Sequence, residues 1–210
     1  QVSLSVGLVS RKGVVSGLSI RPNRRATVRG SLVTRGGSPV VRAPLRLIET
    51  FADGSRRSRR VSMTHTDDSG EFRITLGKGP IRKVTVSYAG NETLSAVNSS
   101  ALSVRTYDKT ELDIRPRVLR NGGTVRMTGS VEGPGGMARG SGKLVAIQYY
   151  DPSRATWRPA EVVRTNRNGR FVYRYRFRTI TIAQRIIFRA ASLPEAGWPF
   201  LPSTSKPRSV

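Results

Sequence analysis

Polar and apolar side chains alternate along much of this chain. The clearest case is the segment 170–178, in which every second residue is aromatic and arginine fills all but one of the remaining positions. Because successive side chains of a strand point to opposite faces, this pattern predicts a strand that buries its aromatic rings and exposes its guanidinium groups. Segments 124–131 and 71–76 alternate in the same way and give these inward-facing sets: Val125, Met127, Gly129 and Val131, and Phe72, Ile74 and Leu76.

The spacing of turn residues indicates an all-β fold. Few segments keep an apolar period of 3.6 residues, whereas Gly, Pro, Asn, Asp and Ser interrupt the alternation roughly every 8–12 residues, as in a sandwich or barrel. Gly70 and Gly169 each end a polar turn directly before an alternating segment. Glycine supplies the positive φ that such turns require.

An internal repeat predicts the domain organisation. Residues 26–76 align without a gap on residues 125–175, at an offset of 99, with ten identities in 51 positions. The identical pairs are mostly turn glycines and apolar residues: Gly30/Gly129, Ser31/Ser130, Gly36/Gly135, Gly37/Gly136, Leu45/Leu144, Ile48/Ile147, Arg59/Arg158, Thr66/Thr165, Gly70/Gly169 and Phe72/Phe171. Two copies of about 100 residues follow, each of a size that suits one β-sandwich.

We therefore expect one sandwich domain over residues 1–106 and a second over residues 107–210. The boundary is predicted between Arg105 and Leu112, where one alternating segment ends and the next begins. Residues 203–210 are short for a closing strand, so the second domain is expected to be truncated there.

The charge is large and evenly spread. Lys and Arg number 37 against 13 Asp and Glu, for a net charge of +24, and each half on either side of Thr106 carries +12. Such a field favours anionic partners, namely nucleic acid or an acidic envelope polymer. The simpler interpretation is a bias toward arginine on solvated strand faces.

Two groups of arginines are the candidate anion-binding residues. Four guanidinium groups fall within residues 56–60, in a predicted hairpin loop, and three follow one another at alternate positions of residues 174–178. Arginine binds phosphate and carboxylate groups bidentately, which makes both groups suitable for a polyanion. The candidates are Arg56, Arg57, Arg59, Arg60, Arg174, Arg176 and Arg178.

Catalytic chemistry has few candidates in this sequence. Cysteine is absent and His65 is the one histidine, so thiolate chemistry is excluded and a metal or triad site would depend on His65. His65 with Asp67 and Asp68 lacks metal-ligand spacing. Glu111 and Asp113 are interpreted as salt-bridge partners rather than a glycosidase pair. We expect no catalytic, cofactor or metal site, no small-molecule substrate, and no membrane span, because no apolar run approaches the roughly 20 residues required.

The segment 121–131, together with Trp157, the turn around Gly169 and residues 196–200, resembles secreted bacterial immunoglobulin-like repeats. In the first copy, residues 84–91 resemble the penultimate strand of such domains. The resemblance implies two tandem immunoglobulin-like sandwiches in an exported protein of high-GC bacteria. It implies no catalytic residue.

Three classes of function are compatible with these observations. We expect a non-catalytic structural or interaction module of a secreted or cell-surface protein, acting as spacer, adhesive unit or assembly subunit, with other protein subunits or envelope components as partners. The alternative is a polyanion-binding protein that uses its arginine-rich surface. An enzyme is the least supported class.

Overall fold

The fold is described from a computed structural model, which describes residues 1–52, 59–134, 141–178 and 183–210. These residues form β-strands and turns, and none of them lies in an α-helix. No helix among them could therefore cross a bilayer. The chain divides into two compact units, which we call unit 1 (Gln1–Thr106) and unit 2 (Tyr107–Val210).

Unit 1 is a sandwich of two sheets. Its strands are β1 (Val2–Ser10), β2 (Gly13–Val15), β3 (Gly17–Ile20), β4 (Thr27–Thr34), β5 (Pro44–Phe51), β6 (Arg59–His65), β7 (Glu71–Thr75), β8 (Arg82–Tyr88), β9 (Val97–Asn98) and β10 (Leu102–Thr106). One sheet has the order β2-β1-β4-β7 and the other β3-β10-β8-β5-β6, with β9 beside β8. Pairing is antiparallel except between β3 and β10.

The core of unit 1 lies between these sheets. Alternate residues of β8 and β5 point inward, so that Val84, Val86, Leu45 and Leu47 are completely buried. Phe72 of the opposite sheet packs in the same cluster. Burial of such side chains is the main stabilisation of a sandwich, at about 1.5–3 kcal/mol for each large apolar residue.

Unit 2 repeats this architecture. Its strands are β11 (Lys109–Arg115), β12 (Thr124–Glu132), β13 (Leu144–Asp151), β14 (Thr156–Arg164), β15 (Arg170–Arg176), β16 (Ile187–Ser192) and β17 (Arg208–Ser209). They form the sheets β11-β12-β15 and β14-β13-β16-β17. The chain is thus all-β, with two tandem immunoglobulin-like sandwiches, as the sequence predicts.

The predicted faces of the alternating segments are confirmed by burial. Val125, Met127 and Val131 are fully buried, and Phe72 and Phe171 lie in the cores of the two units. Outward positions of β12 and β15 are exposed or half-exposed. The alternation of inward and outward side chains depends only on the residues of each strand, so it can be predicted without knowing how the strands pair.

Gly30 and Gly129 occupy equivalent places and explain one identity of the repeat. A Cβ on Gly129 would lie 2.1 Å from the carbonyl oxygen of Glu111 and 2.3 Å from Phe171. A Cβ on Gly30 would lie 2.2 Å from the oxygen of Ser5 and 2.6 Å from Phe72. In each unit the phenylalanine ring therefore rests on the bare backbone of the neighbouring strand, and only glycine leaves space for it.

The gapless alignment of the repeat is wrong by one residue in one strand. It pairs Leu45 with Leu144, yet Leu45 is fully buried and Leu144 is not, and Val145 takes the inward position instead. Strand pairing agrees, because Leu45 lies opposite Thr64 in β6 and Val145 lies opposite Val163 in β14, and the alignment matches Thr64 with Val163. The connection before the strand is longer in unit 2 (133–143 against 35–43), and a β-bulge follows at Ile147/Gln148.

Candidate anion-binding surface

The alternation of β15 places its arginines on the outer face of unit 2. Arg174 and Arg176 are exposed, and Arg178, which follows the end of the strand, is exposed as well. The aromatic residues between them point inward: Tyr175 contacts Phe177, with ring centroids 4.9 Å apart. The aromatic rings therefore belong to the core and do not form a surface for stacking bases.

The pairing of strands adds two arginines that linear spacing does not connect to this group. Arg126 of β12 lies directly opposite Arg174 of β15. Arg115 of β11 lies directly opposite Arg126 on its other side. Three arginines from three strands thus stand in one row across the sheet. Arg126 and Arg174 make no ion pair with any residue that the structure describes.

The neighbouring charges are partly compensated. Nε of Arg115 lies 3.1 Å from Asp113, and this arginine holds the pKa of the Asp113 carboxyl below its usual range. Lys109 lies 2.7 Å from Glu111, which raises the pKa of Lys109. Arg176 donates from Nε to the carbonyl of Gly122 at 3.0 Å. The carboxylates therefore lie along β11, at one side of the arginine row.

A groove of about 730 Å³ continues this basic surface beside β11. It lies between β11 and the segment 204–208, and Arg115 belongs both to the row and to the groove. Its charged lining consists of five cations and two carboxylates: Lys109, Arg115, Arg170, Lys206, Arg208, Glu111 and Asp113. The balance is positive, so the groove favours an anionic occupant.

Only part of the other predicted arginine cluster lies in the described residues. Arg56 and Arg57 lie outside the described residues. Arg59 and Arg60 belong to strand β6 rather than to a loop, and as neighbours on a strand they point to opposite faces. Arg60 lies over the ring of Phe51 and 3.6 Å from the buried carboxylate of Glu49. The charge of Arg60 is therefore partly compensated within unit 1, although its side chain, like that of Arg59, is exposed.

Glu49 belongs to a buried ion pair that sequence reasoning missed. Its Oε2 lies 2.6 Å from Nε of Arg82, in a close charge contact that lacks the angle of a hydrogen bond. Arg82 is fully buried and donates from its terminal nitrogens to the carbonyls of Gly77 and Pro80 at 2.8 and 3.0 Å. Burial lowers the pKa of Arg82.

Unit 2 contains a second buried polar network, around Asp108. This carboxylate is fully buried and accepts hydrogen bonds from Ser192 Oγ at 3.0 Å, from Trp198 Nε1 at 3.0 Å, and from Ser203 Oγ. These donors belong to β16 and to the last segment of the chain. Asp108 thus ties the beginning of unit 2 to its end.

Lys143 extends this network. It is buried, contacts the ring of Trp198, and donates to the carbonyl of Leu193 and to Glu195 Oε2, the latter at 2.9 Å. The backbone N–H of Leu144 also donates to this oxygen and is the main cause that lowers the pKa of Glu195. These ionisable groups all serve to hold segments together.

The carboxylates of the turn that follows His65 make contacts within unit 1. His65 is exposed at the end of β6. Asp67 accepts hydrogen bonds from the backbone N–H groups of Glu71 and Ser69, each at 2.9 Å, and the bond from Glu71 is the main cause that lowers the pKa of Asp67. Asp68 lies 3.6 Å from Arg42. Among the described residues, no three His, Asp or Glu side chains converge on a point that could hold a metal ion.

No protein-family description and no curated protein matches the chain. The chain is similar in structure to a tetra-tandem repeat from the extending region of a large adhesion protein, with 12% identity and a TM-score of 0.45, over 100% of this chain and 49% of that one. It is also similar to an adhesin of Yersinia pseudotuberculosis, with 11% identity and a TM-score of 0.40, over 96% and 58%. The bacterial integrin-binding protein invasin is similar with 14% identity and a TM-score of 0.41, over 97% of this chain and 38% of that one.

This chain spans 58% or less of the length of those three proteins. The high-GC origin stays a prediction from the sequence resemblance.

Proposed function

We propose that the chain is a non-catalytic structural and interaction module of a secreted or cell-surface protein, with domains over residues 1–106 and 107–210. The observation that carries this proposal is the use of the buried ionisable groups. Glu49 pairs with Arg82, Lys143 pairs with Glu195, and Asp108 is surrounded by hydrogen-bond donors. Each group joins segments that are distant in sequence.

This use differs from the demands of catalysis. A catalytic acid, base or nucleophile must reach a substrate, and its pKa is tuned for proton transfer. Asp108 is inaccessible and both of its oxygens accept hydrogen bonds from side chains of the fold. Each of these groups holds distant segments of its unit in fixed positions, which suits a spacer or an adhesive unit.

The proposal is tested by pulling the full chain between its ends in a single-molecule instrument. Two unfolding events are expected, each releasing the length of one unit, about 350–380 Å for the 106 residues of unit 1. A single event of twice that length, or unfolding without a force peak, contradicts a tandem spacer. Localisation is tested on intact cells that carry a tagged copy, since the tag must be accessible to added protease.

Polyanion binding is the second candidate function, and the exposed arginines of unit 2 support it. Arg174, Arg176 and Arg178 are exposed. Arg174 also belongs to the row that continues through Arg126 and Arg115. Retention of the full chain on immobilised heparin measures this directly. Electrostatic binding should weaken by orders of magnitude between about 50 and 200 mM salt. Absence of retention at the lower salt contradicts this candidate.

A further inference from the structure

We propose that the row Arg115–Arg126–Arg174 of unit 2, called here the arginine ladder, is a binding site for an acidic polysaccharide. This inference rests on the second candidate function, polyanion binding. It differs from the linear prediction in its residues: the site runs across three strands instead of along one. Two of its three members, Arg115 and Arg126, come from strands other than β15.

The ladder is unfavourable for the folded sheet taken alone. Directly opposite side chains on one face have Cβ atoms about 4.5–5.5 Å apart, and like charges placed so are destabilising. Arg126 stands in the middle, with a cation on each side. Arg115 has Asp113 as a partner, but Arg126 and Arg174 have no carboxylate among the described residues. An anionic ligand would remove this repulsion.

Unit 1 shows that the fold does not require arginine at these positions. The pair that corresponds to Arg126 and Arg174 is Thr27 and Thr75, which lie opposite each other with their hydroxyl oxygens 3.4 Å apart. Unit 1 does carry one arginine pair on this sheet, Arg29 opposite Arg73. There Arg29 is bound by both oxygens of Glu71, at 3.0 and 2.8 Å.

The surface around the ladder favours a long ligand. At the β11 end, Arg115 also lines the groove of about 730 Å³, where Lys206 and Arg208 continue the positive charge. At the other end, Arg176 lies two residues beyond Arg174 on the outer face of β15, which is the edge strand of its sheet. A linear polyanion can therefore cross the sheet and enter the groove.

The chemistry of the face favours a polysaccharide over a single-stranded nucleic acid. Proteins that bind single strands stack the bases on exposed aromatic side chains. Here Tyr173 and Tyr175 point into the core, and the positions beside the ladder on the outer face are Val172 and Thr128. Guanidinium groups bind the carboxylates and sulfates of a sugar chain bidentately, whereas the described residues of this face lack the exposed aromatic rings on which single-strand-binding proteins stack bases.

The test uses the full chain and two double variants with equal loss of charge. R126T/R174T gives the ladder the threonine pair that unit 1 has at the equivalent positions, Thr27 and Thr75. R29T/R73T removes the compensated pair from unit 1 and is the matched control. Binding of a heparin octasaccharide is measured by calorimetry at low salt, with a single-stranded oligonucleotide of similar charge as the second probe. Thermal unfolding by circular dichroism checks the fold of each variant.

We expect R126T/R174T to bind the octasaccharide at least about tenfold more weakly than the unchanged chain, because two charge-assisted contacts are lost. We expect R29T/R73T to change the affinity less than about twofold. R126T/R174T should melt no lower than the unchanged chain, because it removes like-charge repulsion. Equal weakening by both variants overturns the ladder while leaving polyanion binding intact. Absence of binding by the unchanged chain overturns both. Tighter binding of the oligonucleotide overturns the polysaccharide assignment.

Discussion

Removing the charge of Glu49 should destabilise unit 1 severely and leave unit 2 unaffected. In Glu49→Gln the guanidinium of Arg82 stays fully buried with its two backbone carbonyls, but the carboxylate 2.6 Å from its Nε is gone. Two unit charges 4 Å apart interact by about 4 kcal/mol at an effective dielectric constant of 20. Breaking one partner from a buried pair costs about 3–5 kcal/mol. The second cation, Arg60, lies 3.6 Å from Glu49 and adds to the uncompensated charge.

The composition of the chain allows each unit to be observed separately. Both tryptophans, Trp157 and Trp198, belong to unit 2. In urea unfolding, tryptophan fluorescence therefore reports unit 2, whereas far-ultraviolet circular dichroism reports both units. For Glu49→Gln we expect unit 1 to unfold at lower urea in circular dichroism, with a free energy of unfolding reduced by about 3–5 kcal/mol. The fluorescence transition of unit 2 should keep the midpoint of the unchanged chain.

Two controls make the result decisive. Glu49→Met/Arg82→Met removes both charges and should recover most of the lost stability, because an apolar pair of similar volume replaces a buried ion pair at little cost. A loss below about 1 kcal/mol in Glu49→Gln would refute the reasoning, since this is the range of a surface pair. A shift of the fluorescence transition would refute the independence of the two units.

Three further predictions concern single residues. Gly129→Ala should destabilise unit 2 by about 3 kcal/mol in urea unfolding, at the upper end of overpacking costs. The reason is that the new Cβ would lie 2.1 Å from the carbonyl oxygen of Glu111 and 2.3 Å from the ring of Phe171. Gly17→Ala is the control and should be close to neutral, because its Cβ would lie 3.8 Å from its nearest neighbour. Asp108→Asn should lower the stability of unit 2 by about 1.5–3 kcal/mol in the same assay, and unchanged stability would contradict the role of the network. The folded-state pKa of Glu195 lies below its ordinary value, so its contribution is complete above that value and is lost as pH falls through the folded pKa; Glu195→Gln should flatten the decline of the unit 2 melting temperature in acid, measured by fluorescence, and an unchanged slope would contradict this.

The faces of the strands could be predicted from the sequence because they depend on local alternation. In β15 and β12 the inward and outward sets are as the pattern predicts. The same reasoning could have found the buried ion pair. Glu49 continues the buried positions of Leu45 and Leu47, and Arg82 precedes the buried Val84 and Val86 at the same spacing of two residues. Two opposite charges in phase with two core faces are a readable signal of a buried pair.

Asp108 gave no such signal. It stands between β10 and β11, and its partners Ser192, Trp198 and Ser203 are all more than 80 residues away. The residues next to Trp198 in the sequence indicate a position at the edge of a core, but they do not indicate its hydrogen bond to the carboxylate of Asp108. Contacts of this kind are set by the closure of the whole sandwich, which no short pattern encodes.

The arginine ladder shows how much of a site can depend on register alone. A shift of β12 by one residue against its neighbours would turn Arg126 into the core and Val125 to the surface, so burial of the apolar face fixes the pairing strictly. That pairing places Arg115, Arg126 and Arg174 in one row, although 11 and 48 residues separate them along the chain. The apolar residues thus determine where the charges meet, and the linear candidates Arg174, Arg176 and Arg178 contain only one member of the row.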